Sequence, residues 1–292
     1  DWTRPANMGS PVNTREWESQ PSLSSDGRTL YFVSSRPGSQ GKDDIWMTTR
    51  NKDDKWAQPV NLGDSINTFG EEMTPFIHAD NQTLYFSTDK RIGMGGQDIY
   101  MVKRLGENQW GSPQNLGYPI NTPKDETGLI VNTRGNRAYF ASDRFEEEGN
   151  LDIYSFTLPE AMRPEPTTYL KGIVYNAETK EPLQAKFELT ALSSQEVIAQ
   201  SVSDRVNGEF LLALPANESY ALNVNKPGFM IYSDNFDLTA RHTAKEPFEK
   251  DVPLKPIKTG NIVTLENVFF ELDKHNLKPE SKAELNRLTR FL

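Results

Sequence analysis

Three aspartates, Asp44, Asp98 and Asp152, recur at one constant interval, each followed by isoleucine and preceded by a glycine-containing turn. A carboxylate at a strand entry can accept the backbone N–H groups of that turn, or it can ligate calcium or a small ligand. Copying into every repeat favours the turn lock, because a ligand site has no need of a copy in each. Glu18, Glu72 and Glu126 keep the same interval, and Arg36, Lys90 and Arg144 follow them at a fixed offset. Each glutamate is therefore expected to pair with a cation on a neighbouring strand.

Other residues with chemical potential do not converge. His78, His242 and His275 fall in three different parts of the chain, and none has a His-x-x-His or Glu-x-x-His setting. His78 takes a repeat position held elsewhere by Ser24 and Asn132, just before a turn, which predicts a solvent-exposed turn residue. No Gly-x-Ser-x-Gly elbow is present to expose a serine. The adjacent pairs Asp43-Asp44, Asp53-Asp54 and Glu71-Glu72 point to opposite faces of a strand, and Glu146-Glu147-Glu148 reads as a solvated loop. The expectation is a non-enzyme with no catalytic residue, no cofactor site and no metal site.

Composition narrows the classes further. A net charge of -9 without a basic block argues against nucleic acid. The absence of cysteine excludes disulfides and thiolate chemistry. No apolar run reaches the roughly 20 residues of a spanning helix, so a soluble protein with no transmembrane segment is expected. The chain begins at Asp1 with no signal peptide, and a processed or omitted N-terminal part is expected.

The elements that must carry these residues follow from the repeat. At a shift of 54, Trp2, Trp56 and Trp110 align, as do Asn7, Asn61 and Asn115, Gly9, Gly63 and Gly117, and Asn13, Asn67 and Asn121. Within one period, "SQPSLS", "TLYFVSS", "DIWMTTR" and "KWAQPVNLG" read as four short strands, with Asp26-Gly27 as a tight turn between the first two. Four antiparallel strands per repeat make one propeller blade. Three blades fall below the usual ~4 to 8, so further blades are expected upstream.

"LYFVSSRPGSQGKDDIW" and "LYFSTDKRIGMGGQDIY", with "W-x-x-P-x-N-L-G" before them, resemble the PD40 group of WD40-like propeller repeats, related to those of TolB. The resemblance covers residues 1–157. The third repeat departs from it, with "FEEEGNLDIY" in place of the Gly-Gly before Asp-Ile.

Residues 158–167 are rich in proline and read as a linker. Residues 168–256 alternate in short segments separated by turns such as Asn207-Gly208 and Pro227-Gly228, the pattern of an all-β sandwich. With Gly172, Pro182, Ala185, Gly208, Phe210, Pro215, Tyr220 and Gly228 in place, this stretch resembles the carboxypeptidase regulatory-like domain, a transthyretin-like sandwich. In residues 261–292, Thr264 to Leu272 predicts a strand and Pro279 the start of a helix, with Ser281 and Glu284 at capping-box spacing. Asn267, Val268, Phe269, Phe270, Leu277, Pro279, Ser281, Leu285 and Leu288 resemble the opening of the α+β OmpA-like domain. The peptidoglycan-gripping residues of that family come later in sequence, and none can be placed here.

The order of the three parts resembles the PorE-type multidomain OmpA-family proteins of the type IX secretion system. That resemblance implies a non-enzymatic periplasmic scaffold associated with the outer membrane, with peptidoglycan and secretion-system proteins as partners. One alternative is a TolB-like propeller binding a lipoprotein or glycan. An alternative of another class is a glycan or peptide hydrolase with its site on blades outside this chain.

Overall fold

The computed structural model describes residues 4–51, 53, 55–106, 108–145, 147, 149–238, 247–260, 265–270, 275–278, 281, 284–285 and 288–289. Trp2, His242, Pro279, Glu146 and Glu148 lie outside the described residues. The chain is all-β in its main elements and divides into two compact units, Asp1–Pro166 and Thr167–Leu292.

Among the described residues, the first unit holds three antiparallel sheets. In the first, β1 (Glu18–Leu23), β2 (Thr29–Ser34), β3 (Asp44–Thr49) and β4 (Val60–Asn61) lie in sequence order. In the second, β5 (Glu72–Ile77), β6 (Thr83–Thr88) and β7 (Asp98–Gly106) are followed by β8 (Gln109–Trp110) and β9 (Gln114–Asn115), both paired with β7. The third consists of β10 (Glu126–Val131), β11 (Arg137–Ser142) and β12 (Asp152–Thr157). The shift that aligns the sequence with itself also carries each long strand of one sheet onto the next.

Even the irregularities repeat. The register slips once between Ser19 and Ser22, Met73 and Phe76, and Thr127 and Ile130. Gln20, Thr74 and Gly128 occupy that bulge at φ 52, 49 and 65. Such a bulge sharpens the local twist and re-aims the strand. The expected fourth strand is broken at Pro59 and Pro113: Trp56 bridges Arg50 and β8 pairs with β7 before the proline, and Val60–Asn61 and Gln114–Asn115 pair after it. Proline has no N–H to give to a ladder, so the pairing is interrupted there.

Period-two alternation distributes side chains between successive cores. Tyr31, Ile45 and Met47 of the first sheet share a buried cluster with Leu84, Phe86 and Tyr100 of the second. On the other face of that second sheet, Tyr85, Ile99 and Met101 share a cluster with Leu129, Ala138 and Phe140 of the third. The middle sheet is thus buried on both sides. Residues 158–166 leave the repeat but stay on this unit: Tyr85 Oη donates to Met162 O (2.7 Å) and Glu165 N to Asp80 Oδ2 (3.0 Å).

The second unit contains β13 (Thr167–Asn176), β14 (Lys186–Ala191), β15 (Val197–Val202), β16 (Glu209–Pro215), β17 (Ser219–Asn225), β18 (Tyr232–Asp237), β19 (Phe248–Glu249) and β20 (Val252–Leu254). β13 pairs antiparallel with β16 and parallel with β19 and β20, while the other sheet runs β15-β14-β17-β18. Leu170, Leu212 and Val252 from one sheet and Phe187, Leu222 and Phe236 from the other enter one buried cluster. Gly172 is required at its place, since a Cβ there would stand 1.9 Å from Lys250 O where the parallel strand passes.

The strand expected over Thr264 to Leu272 takes a different form where it is described. Residues 265–270 hold a turn and one isolated bridge, from Phe270 to Leu277. A side chain anchors the segment in place of a ladder, as Asn267 Nδ2 donates to Ser233 Oγ (2.7 Å) and Asp234 O (3.1 Å). Ser281 is helical, and its hydroxyl bonds back to the preceding segment. It accepts from Phe269 N (2.8 Å) and donates to Phe269 O (2.9 Å), which ties the helix start to the preceding segment. No described helix is long and apolar enough to cross a membrane.

Candidate functional site

The repeated glutamates sit at the first residue of β1, β5 and β10. Each folds back on the threonine four positions earlier, and each also accepts a hydroxyl from the end of the neighbouring strand. Glu126 takes Thr122 N and Oγ1 (both 2.7 Å) and Ser142 Oγ (2.7 Å). Glu72 takes Thr68 N and Oγ1 (both 2.7 Å) and Thr88 Oγ1 (2.6 Å). Glu18 does the same with Thr14 and Ser34.

The expected cation completes two of the three locks. Arg36 reaches Glu18 at 3.2 Å and Arg144 reaches Glu126 at 3.4 Å. Lys90 goes instead to its neighbour Asp89, at 2.9 Å. The arginine of the second repeat is displaced by one position: Arg91 donates to Ser65 O (2.7 Å) and Ile66 O (2.9 Å). Arg36 and Arg144 serve the equivalent carbonyls, Pro11 with Val12 and Pro119 with Ile120. Arg91 thus keeps the loop but gives up the carboxylate. Burial consequently dominates at Glu72 and raises its pKa despite the bonds from Thr88 and Thr68.

The aspartates divide in the same way. Asp44 accepts Gln40 N (2.7 Å), Gly41 N (3.0 Å) and Asn61 Nδ2 (2.6 Å), and Asp98 accepts Met94 N (2.6 Å). Asp152 is exposed, and the loop amide of Gly149 turns to Asp143 Oδ2 (2.9 Å). Two of the three are turn locks, as the repeat logic expects. The altered "FEEEGNLDIY" loop moves the job to another residue.

His78 requires a correction. It is 1% exposed, not a solvent-facing turn residue. Its Nε2 donates to Asn132 O of the next repeat (3.1 Å), and its Nδ1 accepts Asp80 N (3.2 Å). The first contact makes His78 a bridge between sheets, and the second sets its ring beside the Asp80 carboxylate, with Nδ1 3.5 Å from Oδ1. Burial opposes ionisation of Asp80, but His78 together with Gln82 N and Thr83 more than offsets it and draws the carboxyl down to about 2. The repeat alignment concealed this role, because Ser24 and Asn132 do not perform it.

With these polar groups committed to internal bonds, the solvent-facing chemistry lies in the loops. Antiparallel order places the β2–β3, β6–β7 and β11–β12 loops on one edge of the three sheets. The same edge receives the connections that enter β5 and β10: Lys42 N donates to Gly70 O (2.9 Å) and Glu126 N to Gln97 O (2.7 Å). This rim presents Phe69 (74% exposed), Ile92 (98%), Tyr118 (76%) and Phe145 (81%), flanked by Lys42, Lys90 and Arg91. Among the described residues, no group of three or more histidines or carboxylates is placed to hold a metal ion.

No protein-family model matches the chain. The indolepyruvate oxidoreductase subunit IorB of Pyrococcus horikoshii is 35% identical over 120 residues, covering 38% of this chain and 58% of that protein. The chain therefore spans less than two thirds of that relative's length. Among solved structures, TolB from Acinetobacter baumannii superposes with a TM-score of 0.38 at 13% identity, over 78% of this chain and 53% of that one. An α-L-arabinofuranosidase from Lactobacillus brevis gives 0.36 at 14% identity, over 81% and 73%. No residue is carried over from any of them.

Proposed function

We propose that the chain is a non-enzymatic binding module whose three repeat sheets are blades of a TolB-like propeller and whose loop rim holds a protein or glycan of the bacterial cell envelope. One observation carries this reading. The repeated polar residues close their own loops, while the rim they rigidify exposes large apolar side chains at Phe69, Ile92, Tyr118 and Phe145. Apolar side chains held out on fixed loops are the usual material of a recognition surface.

The resemblance of Asn267 to Leu288 to an OmpA-like opening favours a narrower reading. In it, the second unit is a regulatory-like sandwich that spaces the propeller from a peptidoglycan anchor, and the whole is a periplasmic scaffold of a type IX-like secretion machine at the outer membrane. The test uses the chain as bait in crosslinked cell envelopes, beside a Phe69→Ser, Ile92→Ser, Phe145→Ser variant. Recovery of discrete envelope components by the parent and their loss in the variant supports the binding rim. Equal recovery by both sinks it, and hydrolysis of an envelope glycan or peptide by the parent would replace it with the hydrolase reading.

A further inference from the structure

Residues 158–166 leave the third sheet without adding a strand to it and are held by side chains of the second. Tyr85 Oη donates to Met162 O (2.7 Å) and Lys103 Nζ to Arg163 O (3.2 Å). Glu165 N donates to Asp80 Oδ2 (3.0 Å), on a carboxylate that also accepts Gln82 N and Thr83 N (both 2.9 Å) and Thr83 Oγ1 (2.7 Å). Arg163 Nε turns back to Leu158 O (2.8 Å) and closes the segment on itself. Apolar contacts complete the seat. Leu158 is fully buried in the cluster between the second and third sheets, and Met162 packs on that cluster. Pro164 lies so close to Gly135 that a Cβ there would stand 2.9 Å from Pro164 O.

The residues that make this seat are where the second repeat departs from its copies. Lys103 replaces Thr49 and Thr157, and Asp80 stands where the third repeat has Arg134. Tyr85 has an equivalent in Tyr31, but the hydroxyl of Tyr31 accepts from Arg104 instead. A need common to every sheet of the array would be met in every repeat. These changes serve residues 158–166 alone.

The seat lies at the end of the second sheet opposite the rim. β5, β6 and β7 run between the two: Glu72, Thr88 and Asp98 are their rim ends, and Asp80, Thr83 and Lys103 lie toward the other end. A pull along these strands is perpendicular to the ladder bonds and loads them together, in shear, instead of one after another. The second sheet is also packed on both faces.

We propose that residues 158–166 are a load-bearing strap, which carries a pull on the second unit into the second sheet instead of into β12. Its purpose rests on the binding-rim reading, since only a chain gripped at the rim bears such a load. Phe69 precedes β5 and Ile92 lies between β6 and β7, so grip and load meet in one sheet.

Constant-force tweezers on the full chain test this. The chain has no cysteine, so Ile92→Cys and Pro166→Cys give unique handles at two exposed sites and leave the second unit outside the loaded path. The strap variant adds Tyr85→Phe and Lys103→Met. Met162→Ala, changed on the strap alone, takes its place if that double variant does not fold. Tyr31→Phe is the control, an equivalent tyrosine away from the strap. In the parent the strap should release only as the sheets themselves unfold. In the strap variants a short separate extension should come first, at a rate at least tenfold above that of release in the parent and absent from Tyr31→Phe. A parent whose strap peels before the sheets unfold, or strap variants that match the control, overturns the proposal. Envelope recovery indifferent to Phe69, Ile92 and Phe145 sinks the rim reading without altering these force traces, so the two failures are told apart.

Discussion

Ile99 and Ile153 occupy the same place in two sheets built from near copies of one repeat, yet one is 1% exposed and the other 83%. Their own strands pair alike, with Ile99 opposite Ser87 and Ile153 opposite Ala141. The difference comes entirely from the neighbour each sheet has on its far side. Behind Ile99 lies a further sheet with Leu129, Ala138 and Phe140 in contact, and behind Ile153 the repeat has ended. Burial in a stacked array belongs to the neighbour as much as to the residue.

Truncating the two side chains gives the largest contrast. Ile99→Ala removes a fully packed side chain and should cost about 3 kcal/mol, as large-to-small core changes do. Ile153→Ala should stay within about 0.5 kcal/mol. Urea unfolding of both variants decides it, and equal losses would mean that the face behind β12 is covered in solution.

Glycine substitution sharpens the same comparison. Gly95→Ala drives a methyl group against the backbone of Lys124, with no flexible side chain to yield, and should cost about 2 to 3 kcal/mol. Gly149→Ala has open space and only the strain of its positive φ of 83, worth about 1 kcal/mol. Thermal melts that rank the pair the other way would contradict the placement of the connection over Gly95.

These contrasts also show what the sequence can and cannot reveal. The strands β1 to β3 and their copies are legible because alternation is a local signal that the repeat presents three times over, with Asp26-Gly27 marking the first tight turn. The glutamate lock is legible as a pairing in two repeats, through Arg36 and Arg144. Its failure at Lys90 is not, because a one-position displacement of arginine to Arg91 changes the partner without disturbing the alignment. His78 is misread for the opposite reason: its neighbours in the alignment share its place but not its bond to Asn132. In the second unit, the parallel pairing of β13 with β19 and β20 joins segments from opposite ends of the sandwich sequence, and no local pattern announces it. The exposed rim residues Phe69 and Ile92 are invisible to alternation, which marks apolar residues as core.

The locks themselves offer a smaller contrast. Glu126→Gln leaves Arg144, 14% exposed, beside a neutral amide and should cost about 2 to 3 kcal/mol. Glu72→Gln strands no cation and keeps an acceptor for Thr68 and Thr88, so about 1 kcal/mol is expected. Lys90→Ala should leave the second lock unchanged, whereas Arg91→Ala should loosen the loop at Ser65 and Ile66. Chemical unfolding that finds Lys90→Ala as costly as Arg91→Ala would return the ion pair to Lys90.

The smallest effect is one of sign. Glu72 and Glu18 start from the same ordinary value of 4.5, and the fold moves them in opposite directions. At Glu72 burial prevails and the folded carboxyl binds its proton more tightly than the unfolded one. Its contribution is therefore fully present below pH 4.5 and is lost as pH rises through the raised folded value. At Glu18 burial pushes upward too, but Thr14, Ser34 and Arg36 outweigh it and hold the folded value below 4.5. That contribution is present above 4.5 and is lost as pH falls through the lowered value. Unfolding free energies of Glu72→Gln and Glu18→Gln against the parent should thus cross with pH: the first variant loses more in acid than near neutrality, and the second loses more near neutrality than in acid. Parallel profiles for the two would show that Glu72 has recruited a cation in solution, and the one-position shift of arginine would then have no energetic consequence.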